Sequence, residues 1–151
     1  MYPVLHAVSR LMECPQPDRR GLAADVAGAL AGEPRLSIAT RLGLVALASR
    51  IEAGDPRECA RHWLQSFRAT PESSLHLRDH SGDSMRAPDL PASYLPDLLE
   101  ALSHGDEAHA IEALVACAPV LREMAEALGR QRDPYALLPV ALLELLDSRL
   151  H

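Results

Sequence analysis

Lysine is absent from this chain. All fifteen basic residues are arginine, set against 21 acids for a net charge of −6. An acidic balance argues against nucleic acid as a partner, because neutralisation of phosphates dominates such binding. It suits a basic partner peptide better. Aromatic residues are nearly as scarce, with one Trp, one Phe and three Tyr, so any core must be aliphatic. The three cysteines, Cys14, Cys59 and Cys117, are far apart and form no CxxC pair. That excludes a disulfide framework and a thiolate metal site. Cys59 and Cys117 fall among apolar neighbours and read as buried free thiols. There is no run of about 18 apolar residues to span a bilayer, and no helix pattern with a basic face and aromatic anchors, so stable membrane association is not expected. The N-terminus lacks the basic start and apolar run of a secretory leader, which makes the cytoplasm the expected compartment.

What remains is 48% hydrophobic, dominated by leucine and alanine, the strongest helix formers, with few β-branched residues. Length and composition predict a single helical domain over residues 1–151, large enough to bury a real core. The expected fold is all-α: a compact multi-helix bundle of mostly antiparallel neighbours, with short connections and one longer loop.

Periodicity and punctuation divide the chain as follows. A first helix runs from about Val4 to Glu13, stopped by Pro15 and Pro17. A second, from about Arg19 to Ala31, carries Leu22, Val26 and Leu30 on one face. Pro34 opens a third, to about Ala53, whose stripe reads Leu36, Ala39, Gly43, Ala46, Leu47 and Ile51; Gly43, costly within a helix, reads either as simple drift or as room for another helix to come close. Gly54-Asp55-Pro56-Arg57-Glu58 closes that helix and starts a fourth with a capping box. Trp63 and Phe67 share a face of the fourth helix and read as core. Residues 71–77 open a short helix or turn. Residues 81–93, with two prolines, a glycine and several small polar residues, form the one long loop and the leading place for function. Leu95, Leu98, Leu99 and Leu102 face inward on a helix over Tyr94–His104. Asp106 caps the next helix, with Ile111, Leu114, Val115 and Ala118 inward and a kink or split at Pro119. Asp133-Pro134 caps the last, which runs to about Leu150.

Catalytic signals are thin. His76, Asp79, His80 and Asp83 fall at spacings that would align on one helix and could hold zinc or iron. Gly82 ends such a helix early, however, and no second helix supplies a Glu-x-x-His partner motif. Otherwise His80 and Asp83 cap helix ends and tie the loop by hydrogen bonds. No GxSxG elbow or glycine-rich phosphate loop occurs, and a Cys14–His6 pair has no third group to orient it.

Three ordered blocks carry a family resemblance. Ser74-Leu75-His76-Leu77-Arg78-Asp79-His80-Ser81-Gly82-Asp83-Ser84 resembles the Ser-Leu-x-Leu-x-Glu-His … Gly-Asp-Ser-Arg signature of the nitrate reductase delta-subunit-like molybdoenzyme assembly chaperones. These belong to the wider group of redox-enzyme maturation proteins. Asp89-Leu90-Pro91-Ala92-Ser93-Tyr94-Leu95-Pro96 and the leucines after it resemble the family's Glu-Leu-Pro-Asp-Tyr-Leu-Pro block. Ala118-Pro119-Val120-Leu121, with Asp133-Pro134-Tyr135-Ala136 further on, resembles a third block. The chain departs from the pattern at Asp79, where Glu is usual, and at Met85, where Arg is usual. It also lacks the family's helix between the first two blocks. These departures point to a divergent branch.

The resemblance implies a chaperone that is not an enzyme and has no cofactor of its own. It would bind an immature molybdopterin oxidoreductase catalytic subunit, often at its N-terminal peptide, during molybdenum cofactor insertion. Leu75, His80, Asp83, Asp89, Tyr94 and Asp97 are the residues expected to meet that client, and a homodimer is compatible with the shortened segment. A small metal-dependent helical enzyme built on His76, Asp79, His80 and Asp83, and a generic helical adaptor, are the alternatives.

Overall fold

The computed structural model describes residues 2–68 and 94–150. Seven α-helices fall within them: α1 (Pro3–Met12), α2 (Leu22–Ala31), α3 (Ile38–Ala53), α4 (Pro56–Arg68), α5 (Leu95–Ser103), α6 (Glu107–Arg130) and α7 (Leu137–Leu150). A 3-10 turn over Pro134–Ala136 leads into α7. The all-α class is as the composition predicts.

The core is aliphatic. Leu5, Leu11, Met12, Leu30, Leu36, Leu44, Leu95, Leu98, Leu99 and Leu114 are its largest fully buried aliphatic side chains. Helix α1 is buried along most of its length and packs on α2 and α5, α2 packs on α3, and α6 packs on α7. Pro3 starts α1 in its first turn, where its missing N–H costs nothing. The inward faces read from the sequence hold for α2 and α5.

Five sequence expectations are corrected in whole or in part. Helix α3 begins at Ile38, four residues after Pro34, because Ser37 caps it by accepting the Thr40 N–H. Its buried stripe is Thr40, Leu44, Leu47, Ala48 and Ile51, while Ala39 and Ala46 are exposed. Apolar residues fall on every side of this helix, so periodicity could not choose between its faces. Val115 is 58% exposed rather than inward. Pro119 does not split α6, which runs on through it. Asp106 does occupy the N-cap position, but its side chain makes no capping bond.

Several termini are closed by residues far away in sequence. Glu144 of α7 accepts the Ser37 N–H at 2.7 Å and the Thr40 hydroxyl at 2.5 Å, which places an anion at the positive end of α3. Glu52 of α3 does the same for α2, accepting from the N–H groups of Gly21 and Ala23 at 3.2 and 2.8 Å. The Trp63 indole donates to the Met12 carbonyl at 2.8 Å, satisfying an orphan acceptor at the end of α1. Arg35 pairs with Glu33 and Glu107 and lies over the Tyr2 ring, 5.3 Å from its centroid. Burial pushes the Tyr2 hydroxyl up to about 12.

Of the two readings of Gly43, the structure shows a close approach. A Cβ there would lie 2.6 Å from Leu137 Cδ1, so α7 rests against bare backbone. Gly54 is the stricter case. A Cβ would meet the Arg50 carbonyl oxygen at 2.7 Å and Cys59 Sγ at 2.9 Å, while the Gly54 carbonyl accepts from Arg19 at 2.8 Å. Gly54→Ala is therefore expected to destabilise by about 1–3 kcal/mol, because backbone must move to admit the methyl. Chemical denaturation checks this, and an unchanged midpoint would contradict it.

Candidate functional site

Of the residues expected to meet a client, Leu75, His80, Asp83 and Asp89 lie outside the described residues. So do His76 and Asp79 of the candidate metal set, the 71–77 turn and the 81–93 loop. Tyr94 and Asp97 are described, and the structure brings both into one acidic corner.

That corner forms where the end of α1 meets the start of α5. The Ser9 hydroxyl donates to the Pro96 carbonyl at 2.7 Å and the Tyr2 N–H to the Ser103 carbonyl at 2.6 Å, fixing the two helices side by side. Tyr94 is the half-buried N-cap residue of α5, and its carbonyl accepts the Leu98 N–H. Asp97 is exposed in the first turn, where the helix dipole favours an anion. Glu100, one turn on, takes His6 Nδ1 at 2.6 Å and His104 Nε2 at 3.1 Å. Partial burial would raise the Glu100 carboxyl, but the two imidazole hydrogen bonds outweigh it and hold the group low. Glu13 is raised, first by burial and then by the charges of Asp97 and Glu100. Burial also raises the Tyr94 hydroxyl, with Glu13 and Asp97 adding to it. Glu13 is thus raised by its acidic neighbours, while Glu100 is compensated by its two imidazoles.

A second feature was not read from the sequence. Between α6 and α7 lies a groove of about 700 Å³. Ile111, Val115, Ala118 and Pro119 form one wall and Leu143 and Leu146 the other, with Glu112, Arg122 and Asp147 at the rim. Pro119 has no N–H to give the Val115 carbonyl, so that acceptor loses its helical donor at the edge of the groove. The available signal was Val115 itself, a large apolar side chain beside the inward stripe and one turn before a proline.

A third cluster looks catalytic but is structural. Asp133 accepts from the Ser66 hydroxyl and from the Tyr135 N–H at 3.0 Å, and lies 3.3 Å from His62 Nε2. The carboxylate stands between serine and histidine, and the serine hydroxyl also lies 2.9 Å from the His62 carbonyl. A nucleophilic triad needs the histidine beside the serine. Here Asp133 instead caps the 3-10 turn and ties α4 to it. The rings of Trp63, Phe67, Tyr135 and His62 follow one another at centroid distances of 5.7, 5.3 and 5.1 Å, and seat α4 on the same point. Phe67 is buried and Trp63 half-buried, in keeping with their reading as core. Asp55 accepts the Glu58 N–H at 3.1 Å, one half of the expected capping box.

All three thiols are free. Cys117 is buried, as expected, and its thiol is pushed up to about 11. Cys59 is half-buried. Among the described residues no group of three or more His, Cys, Asp or Glu could hold a metal ion, and no helix is long and apolar enough to cross a membrane. No family model matches the sequence, and no curated protein matches it.

Proposed function

We propose that this protein is an assembly chaperone that binds the N-terminal peptide of an immature molybdopterin oxidoreductase catalytic subunit. On this reading it holds that subunit while the molybdenum cofactor is inserted, catalyses no reaction itself, and acts in the cytoplasm. The groove between α6 and α7 carries the binding half of the reading. Its apolar walls and charged rim suit an amphipathic helix laid down on its hydrophobic face. The acidic corner of Glu13, Tyr94, Asp97 and Glu100 supports it by offering complementary charge to arginines of the same client. The class of client comes from the resemblance of the three blocks between Ser74 and Leu146.

The test is co-expression with such a catalytic subunit, followed by titration of its N-terminal peptide by calorimetry. Val115 is exposed, so Val115→Asp should leave folding intact while weakening the peptide by tenfold or more, the loss of roughly 1.4 kcal/mol or more. Asp97→Lys should weaken it less and reduce its salt sensitivity. A chain that captures no immature subunit, or a Val115→Asp variant that binds unchanged, would overturn the reading.

A further inference from the structure

Helix α3 presents an inward face buried in the core and, opposite it, an uncharged face that the described residues leave largely exposed, Val45 at its edge alone packing against the core. The inward face is Thr40, Leu44, Leu47, Ala48 and Ile51. At about 100° per residue, Ile38, Leu42, Val45, Ala46, Ser49 and Ala53 fall in a sector roughly 100° wide on the opposite side. No charged residue interrupts that sector, and Ser49 is its one polar member. Ile38 and Leu42 are 68% and 67% exposed, Val45 is half-buried, and Ala46, Ser49 and Ala53 are exposed. Exposed isoleucine and leucine in a row along one helix are costly unless something covers them.

The face has a direction. Its large side chains, Ile38 and Leu42, lie in the first half, and its small ones, Ala46, Ser49 and Ala53, in the second. A second copy of α3 laid antiparallel sets the large half of each helix against the small half of the other. A parallel copy would set large on large and leave a gap between the small residues. The charges at the edge agree. Arg41 and Glu52 border the same side of the sector, and in an antiparallel pair like flanks meet. Arg41 of one copy then lies opposite Glu52 of the other, and the reverse. In that register Leu42 of each copy seats between Ser49 and Ala53 of the other. The Ser49 hydroxyl is no obstacle, because a serine within a helix can turn its hydroxyl back to a carbonyl of the preceding turn. Glu52 already accepts the Gly21 and Ala23 N–H groups, but each carboxylate oxygen accepts two bonds, so it can take the arginine as well.

We infer that the outer face of α3 is a homodimer interface in which two copies pack their α3 helices antiparallel about a two-fold axis near Ala46. It is a different surface from the α6–α7 groove and does not depend on the function proposed for that groove. One helix per subunit covers less than the ~800 Å² per partner of a standard interface, so the dimer should be weak, dissociating on the order of 10 µM.

Sedimentation velocity over a concentration series tests this. The mass should rise from 16.4 kDa toward twice that value. Ala46→Glu sets two carboxylates together at the axis and should weaken the dimer at least about tenfold, with an unchanged helical circular dichroism spectrum because Ala46 is exposed. Ala46→Cys should give a disulfide-linked dimer under mild oxidation, in excess of the wild-type chain with its own three thiols. A monomer at every concentration would overturn the inference, even if hydrogen exchange showed the face protected, since something other than a second copy would then cover it. A dimer indifferent to Ala46→Glu, or one that Ala46→Cys fails to link, would overturn it as well.

Discussion

Asp133→Ala is expected to lower the melting temperature by roughly 5–10 °C, the equivalent of about 2–3 kcal/mol in a domain of this size. The carboxylate is 8% exposed and serves three groups at once: the Tyr135 N–H, the Ser66 hydroxyl and His62. Loss of the cap accounts for about 1 kcal/mol. The rest comes from withdrawing a charged acceptor from Ser66, itself 1% exposed, and from His62. The Ser66 hydroxyl keeps the His62 carbonyl, which limits the damage. Helix α4 should loosen first, because Asp133 and the Trp63–Phe67–Tyr135 ring sequence are what seat it. Trp63 is the chain's one tryptophan, so its emission reports that loosening directly. Asp133→Asn keeps the cap oxygen and should fall between the two. A wild-type melting curve for Asp133→Ala would show that α4 is held without it, by its rings and the Trp63–Met12 hydrogen bond.

Pro119→Ala is expected to act in the opposite direction. Pro119 stands inside α6, is solvent-exposed, and interrupts a helix that otherwise runs from Glu107 to Arg130. Proline in a helix interior costs about 3 kcal/mol relative to alanine. Part of that returns in the comparison, because proline also restricts the unfolded chain by up to about 1 kcal/mol, and α6 has settled around its ring. A net gain of about 1–2 kcal/mol follows, or roughly 3–6 °C in melting temperature. The gain comes from restoring the donor to the Val115 carbonyl. No change, or a loss, would mean that the helix has closed this break by another route.

Pro119 also belongs to the block Ala118-Pro119-Val120-Leu121 on which the proposed function partly rests. A costly proline stands there on the outside of a helix, at the edge of the α6–α7 groove proposed to take the client. The acidic corner was legible only in part. Asp97 and Tyr94 stood out through their block, but Glu13 and Glu100 did not. Glu13 ends one helix and Glu100 lies within another, and nothing in their local sequence distinguishes them from ordinary surface acids. They become a site only because Ser9 meets Pro96 and brings α1 beside α5.

The same division runs through the whole molecule. Helical class, the start of α4 at Asp55-Pro56 and the inward faces of α2 and α5 follow from the chain alone. Each rests on local propensity or on a period of 3.6 that a single helix displays by itself. The inward face of α3 does not, because a helix with apolar residues on every side carries no clear period. The tertiary structure chose Leu44 and Ala48 over Ala39 and Ala46 by placing Glu144 at the start of α3 and Leu137 against Gly43. Residues a hundred positions away made those choices, and long-range packing of that kind leaves no mark in a local pattern.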